Sequence, residues 1–563
     1  MAVTGGSQAG RNGLARAAAA AIVLTVVFYV WPLTLDAPIV DPDEGLHAAI
    51  AQEMLDRGDA VMPRFLGEPF LDKPILYFWA LMASLRALGA SEMAVRVPGL
   101  LFGWLGTLTT ALLAWQIAGW RAAAIAFCLY ATSLVPLGLS QVAVHDVALV
   151  PWATLAILFL WRADRSATAG GMLRSAALAG VFVGLAMLTK GLVGVALVGV
   201  PFAVFLVIER RLTVRIVLAG VVTLAIGACI AAPWFLAMER LRPGYLHYFF
   251  VERHVMGFAT TTQTHGQRPW WYYLPVVAGG AWPWVLYAPF AALGRPAASS
   301  AGARRLLWMW VVIDLVVLSA AGSKLVTYLM PLCPALAILG ALAWDDRLRR
   351  AGDPGGATSP AGFTAAIWLH AFIGVSVVPA VLTFAGIEFG VQVGSAAWIG
   401  SALLVAGYLA VLAAWRGGRP AQALALQVGL VAVTFVLLMG TSFGPVAEQM
   451  SARPLARVLN ERGPMPPQVW IADERIGSVV FYLDAAHRRD LTPARIENVP
   501  LGLLLGRLSA APADVAVVLA ERDVPRFERG IDLAGVPFDP AGRHRIYTAG
   551  ALRARILQVI GGR

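Results

Sequence analysis

Of the 44 basic side chains in this 563-residue chain, lysine supplies only Lys73, Lys190 and Lys324. A chain that so prefers arginine gives its few ammonium groups some weight. A compact, strongly hydrated ammonium suits phosphate oxygens as a point charge. A lysine at the end of an apolar segment also snorkels to the membrane surface with no further task. Carboxylates lie nearby in sequence. IVDPDEGLHA (39–48) carries Asp41, Asp43 and Glu44 around Pro42, FLDKP sets Asp72 against Lys73, and QVAVHDVAL holds Asp146. Acids beside an anion site can orient a nucleophile or take its proton. Histidines recur too, among them His47, His145, His247, His254 and His265, in no spacing that defines a metal site.

Each group has a plainer reading. Asp41 suits a helix N-cap, Pro42 the first helical position, and Glu44 completes a D-x-x-E capping box. Asp43 would then lie on the face of Leu46, His47, Ile50 and Met54, where a carboxylate needs a partner or a task. Asp146 is either a first-turn carboxylate favoured by the helix dipole or a site residue at the outer mouth of a span. Asp72 and Lys73 are either a weak surface pair or two walls of one pocket.

The elements that must position these groups are membrane helices. Residues are 59% apolar and 14% charged, where soluble chains run about 25% charged. Thirteen apolar runs between residues 17 and 443 are long enough to span a bilayer. The segment 74–88 is the ambiguous one, and loop arginines decide it. If it lies at the outer interface, Arg11 and Arg16 share one side with every short arginine-rich loop, from Arg121 to Arg416 and Arg419. That side is cytoplasmic, so the net charge of +11 reflects topology and implies no nucleic acid partner. The outside then receives residues 36–94, residues 237–272 and everything after 444. All three lysines fall at outer ends of spans. Residues 1–444 thus form a membrane domain. Residues 445–563 form an α/β domain on the outer side, periplasmic on the resemblance given below, with strands expected at QVWIAD, SVVFYLD and DVAVVLAE. Cys128, Cys229 and Cys333 lie in apolar runs and imply no disulfide framework.

Three stretches together, DPDEGLHAAIAQEMLDRGDAVMPRFLGEPFLDKPILYFW, MLTKGLVGVAL and GSKLVTYLMPLCPALAIL, resemble the bacterial aminoarabinose lipid A transferases and the related protein O-mannosyltransferases. These are integral-membrane glycosyltransferases of the GT-C fold, and the resemblance covers about residues 20–345. It implies an inverting transfer from a polyprenyl-phosphate sugar, with no nucleotide sugar used directly. The acceptor would be lipid A, another glycan or a protein at the periplasmic face of the bacterial inner membrane. Asp43, with Glu44 beside it, would be catalytic, and Asp146 joins them by its place at the mouth of a span. Lys73, Lys324 and Tyr328 would hold the donor phosphate, and Lys190 joins them by the rarity of lysine. Asp72, with His254 or His265, would bind a divalent metal (Zn, Mg or Mn). The chain departs from the pattern at Leu46 and Phe70, where an arginine and an aromatic hydroxyl are usual. It departs again at Met256 and Gly257, near a usual arginine.

Two other classes compete. A transporter or lipid flippase would place charges or broken helices near the bilayer midplane. The spans here carry little interior charge apart from Asp314. A non-catalytic scaffold with an outer binding domain needs none of the clustered groups.

Overall fold

The computed structural model describes residues 8–259, 268–293, 298–351, 361–389, 394–489 and 491–561. Two compact units interleave along the chain. One takes Met1–Leu35, Leu71–Tyr77 and Arg96–Ser442, the other Asp36–Phe70, Phe78–Val95 and Phe443–Arg563.

The first unit is a bundle of apolar helices. Among the described residues nine helices are long and apolar enough to cross a membrane, or ten if one bent pair is a single span. In chain order the helices of both units run α1 (Gln8–Thr25), α2 (Asp43–Arg57), α3 (Leu76–Leu88), α4 (Glu92–Ala118), α5 (Trp120–Ala131), α6 (Leu134–Ser140), α7 (His145–Arg165), α8 (Ala169–Lys190), α9 (Leu192–Ile208) and α10 (Val214–Leu241), of which α2 and α3 from Phe78 onward belong to the second unit. The run at 121–138 is the bent pair α5 and α6, 62° apart. Helix α3 covers 13 residues, about 20 Å, short of the ~30 Å hydrocarbon core, as expected for an interfacial segment.

Small residues set the packing beside α8. A Cβ on Gly184 would come within 2.8 Å of the Ile230 Cβ, and one on Gly180 within 2.7 Å of the Thr223 carbonyl oxygen. Thr223 Oγ1 donates across to the Ala176 carbonyl at 3.0 Å. Close backbone approach and an interhelical hydroxyl bond are the usual cement where lipid removes the hydrophobic driving force. They fix the line of α8, whose last residue is Lys190. The N-terminal end of α8 is capped by the Thr168 hydroxyl, which accepts the Gly171 N–H at 3.1 Å.

The second unit contains a five-stranded sheet, β4-β3-β5-β7-β6, numbered after the small hairpin β1 (Arg64–Phe65) and β2 (Glu68–Pro69). Strands β3 (Val469–Ala472), β4 (Ile496–Val499) and β5 (Ala516–Ala520) run parallel. Strands β6 (Asp539–Ala541) and β7 (His544–Thr548) complete an antiparallel edge. Strands β3 and β5 are buried at every position, so they read as apolar runs without alternation. Trp470, Val499, Leu504, Val517, Phe527 and Tyr547 are part of the core.

Two sequence expectations fail here. SVVFYLD is not a strand: Gly477–Tyr482 is helical. A short apolar run carries no decisive period, and its neighbours choose its conformation. Asp41 is not an N-cap: helix α2 starts at Asp43 with Pro42 in the cap position and no side-chain cap bond. The Asp41 carboxylate turns instead to Ser478. Glu44 keeps the reciprocal half of the box one residue early, its Oε2 accepting the Val40 N–H at 2.9 Å.

Candidate active site

The first unit holds a cavity of about 440 Å³ whose lining is sharply mixed. Lys73, Lys190, Arg253, Asp72 and His254 line it with Leu192, Val193, Ala196, Leu197, Val317 and Leu318. The apolar wall comes from the first turns of α9 and from helix Ala298–Ala320.

Gly191 joins α8 to α9 with φ at +65°, and a Cβ there would reach 2.6 Å from His254 Nε2. The glycine therefore serves both the left-handed turn after Lys190 and the seat of the imidazole. Lys190 is buried, ion-paired with Asp146, and its Nζ lies 4.1 Å from the centre of the Tyr328 ring. A buried ammonium needs such partners. Asp146 stands in the first turn of α7, as the helix-start reading expects, and meets the cavity only through its pair with Lys190.

Asp72 accepts a hydrogen bond from the Tyr248 hydroxyl at 2.9 Å, and Arg253 Nη2 lies 3.3 Å from its other oxygen. Burial, with the Asp72 charge beside it, pushes the Tyr248 hydroxyl up to about 12. Tyr248 thus stays a donor across physiological pH. His254 Nδ1 donates to the Phe249 carbonyl at 2.6 Å, and Nε2 lies 3.4 Å from the Lys190 carbonyl. Burial pulls the imidazole below its ordinary value and holds it neutral. Ser323 also lines the cavity, with a buried Oγ that has no protein partner among the described residues.

The structure thus brings Asp72, Lys73, Lys190, His254 and Tyr328 into one lining. Lys324 is buried but does not line it, and its ammonium donates to the Ala321 carbonyl at 2.6 Å. Asp43 and Glu44 belong to the second unit, Asp43 exposed and Glu44 buried with its backbone partner. His265 lies outside the described residues. Arg253, three positions before Met256, also lines the cavity. Reading arginines as loop markers passes over it, because that reading weighs an arginine by its loop and not by its neighbours.

The described donors do not make a metal site. Among the described residues no three His, Cys, Asp or Glu side chains gather. Asp72 is taken by a guanidinium and a phenol, and Lys73, Lys190 and Arg253 share its cavity. Such a field disfavours a divalent cation and favours an anion.

An apolar helix bundle with this cavity, in one chain with a small mixed α/β sheet, defines a multi-pass membrane protein of the GT-C fold. A crystal structure of ArnT from Cupriavidus metallidurans bound to undecaprenyl phosphate superposes with a TM-score of 0.70 at 20% identity, covering 96% of this chain and 98% of that one. In sequence the chain resembles the aminoarabinose transferases. The family model described as dolichyl-phosphate-mannose-protein mannosyltransferase matches residues 72–236. The undecaprenyl phosphate-alpha-4-amino-4-deoxy-L-arabinose arabinosyl transferase of Aeromonas hydrophila is 31% identical over 363 residues, 63% of this chain and 64% of that protein. Its namesake from Erwinia tasmaniensis is 33% identical over 316 residues, 56% of each chain. The matched stretches are thus shorter than two thirds of those relatives.

Proposed function

We propose that the chain is an inverting glycosyltransferase that moves a sugar from a polyprenyl-phosphate donor to lipid A, another glycan or a protein. It would work at the periplasmic face of the bacterial inner membrane, N-terminus cytoplasmic and the α/β sheet outside. The observation that carries this reading is the cavity lining: three cationic side chains and a long apolar wall in one space. An amphiphile with a phosphate head and a hydrocarbon tail complements both. The relatives' names and the undecaprenyl phosphate of the structural neighbour support the same donor class.

In the reaction an acceptor oxygen attacks the anomeric carbon while the bond from that carbon to the phosphate oxygen breaks. Negative charge grows on the departing phosphate. Lys73, Arg253 and Lys190 would meet it with fixed positive charge, the largest single term such sites offer. Asp72, itself held by the Tyr248 hydroxyl, pairs with Arg253. A hydroxyl acceptor gives up its proton, and the resemblance of the DPDE stretch makes Asp43 the base proposed to take it. A phosphate acceptor is already anionic, and Asp43 would then only orient it. No step needs a metal held by Asp72.

Transport is the second reading, and Asp314, fully buried within helix Ala298–Ala320, is the observation on its side. Mass spectrometry of lipid A and envelope glycans, with and without the chain, separates the two. Transfer predicts a sugar-sized mass difference on one acceptor. Identical glycans, with altered lipid distribution between leaflets, would favour transport instead.

A further inference from the structure

We propose that Ser478 is a positioning residue for Asp43: the helix Gly477–Tyr482 grips Asp41 and so sets the first turn of α2. The proposal rests on the transferase reading, since it concerns the carboxylate assigned there as base.

The grip has four parts, all within the second unit. First, the Ser478 backbone N–H donates to Asp41 Oδ1 at 3.1 Å, and the Ser478 hydroxyl donates to Oδ2. Second, the Asp41 N–H donates to the Met450 carbonyl at 3.0 Å. Third, Tyr482 at the far end of the same short helix accepts the Ile39 N–H at 2.9 Å and donates to Glu92 at 2.7 Å. Residues 39 and 41 are therefore pinned at both ends of one helix. Fourth, α2 and that helix touch through glycines. A Cβ on Gly45 would fall 2.5 Å from the Ser478 nitrogen, and one on Gly477 would fall 2.4 Å from the Leu46 nitrogen. No side chain fits in either place, so the two backbones meet directly.

Asp43 lies two residues beyond Asp41, in the first turn, with an exposed side chain. Its carboxylate is aimed by where the backbone starts. Glu44 ties that turn back to Val40, and Asp41 ties it to Ser478. The bonds to Asp41 do more than hold the sheet together, because the residues they fix immediately precede Asp43. A shift of about 1 Å in a catalytic group is enough to lower turnover substantially. Ser478 is itself fully buried, and its Oγ also accepts the Ala452 N–H at 3.0 Å. It therefore sits between the chain entering helix Arg453–Glu461 and the chain entering α2.

The test uses the full chain in lipid nanodiscs, with a polyprenyl-phosphate sugar and the acceptor found by mass spectrometry. Ser478→Ala should lower kcat about tenfold, the scale of one charge-assisted hydrogen bond, and leave the donor KM unchanged. Ser478→Thr keeps the hydroxyl and should retain most of the rate. Hydrogen exchange should speed up at amides 43–46 in Ser478→Ala while protection in β3 and β5 persists. A wild-type kcat, or exchange in α2 that does not change, overturns the proposal. So does a loss of protection across the whole sheet together with a raised donor KM, which marks a purely structural role. If Ser478→Ala does not fold, the near-isosteric Asp41→Asn replaces it, with the same expected split between kcat and KM. Asp43→Asn serves as the separate control. If that variant transfers normally, the assignment of Asp43 as base fails, whereas the exchange result still reports whether Ser478 holds α2.

Discussion

At the scale of single residues the cavity divides its labour between scarce lysines and one arginine. Lys73 and Lys190 were legible because lysine is so rare in this chain, and rarity is a property of sequence alone. Arg253 was not, because arginine is common and most of it marks loops. Its place in the lining emerges only from the fold, where it pairs with the Asp72 carboxylate that Tyr248 holds. Arg253→Ala should therefore raise the donor KM by about tenfold or more, the loss of one charge-assisted contact to phosphate. Titration of donor into purified protein checks this, and an unchanged KM would remove Arg253 from the phosphate site. Arg253→Lys should recover only part of the affinity, since an ammonium cannot reproduce the planar fork that Asp72 meets. Lys324 shows the opposite limit. The resemblance named it, and its ammonium spends one of its three donors on the Ala321 carbonyl, just before helix Val326–Ala351.

At the scale of elements, long apolar helices were visible as runs, and loop arginines supply the orientation tested below. Breaks inside runs were not visible. Composition cannot reveal the 62° bend between α5 and α6, or that SVVFYLD coils into a helix. The turn from α8 to α9 shows how local chemistry decides such places. Gly191 has φ at +65°, and its missing Cβ leaves room for His254. Gly191→Ala should destabilise the fold by about 1–3 kcal/mol, from backbone strain and the clash together. Because Lys190 is the adjacent residue, donor affinity should fall as well. A lowered Tm in nanodiscs, with weaker donor binding, is the expected pair of results. An unchanged Tm would show that the turn relaxes freely.

At the scale of the whole molecule the interleaving of the units was the least legible feature. Asp41 and Ser478 are 437 residues apart in sequence, and no periodicity or motif joins them. The contact has a pH signature. Burial pushes the Asp41 carboxyl up to about 7, and the Ser478 bonds and Arg543 only partly offset that burial, to which Glu474 adds. Folded chain then holds a proton that the unfolded chain, with an ordinary carboxyl near 3.8, has already lost. Stability from this group is therefore greatest below about pH 4 and declines as pH rises to about 7. Asp41→Asn cannot titrate, so the wild-type second unit should lose stability relative to the variant between pH 4 and 7. Exchange protection in β3 and β5 measures it, and parallel pH profiles would sink the idea.

Topology supplies the last test at this scale. If the arginine-rich loops face the cytoplasm, the loop at Arg210 and the helix start at Asp484 lie on opposite sides of the bilayer. Single cysteines at those two positions, in a chain freed of Cys128, Cys229 and Cys333, should report it. In intact spheroplasts an impermeant maleimide should label the cysteine at 484 and spare the one at 210 until the cells are lysed. Equal labelling of both before lysis, or labelling of 210 alone, would invert the orientation. The charged cavity would then have to draw its donor from the opposite leaflet. The reading of the three lysines as outer-face residues depends on this single parity.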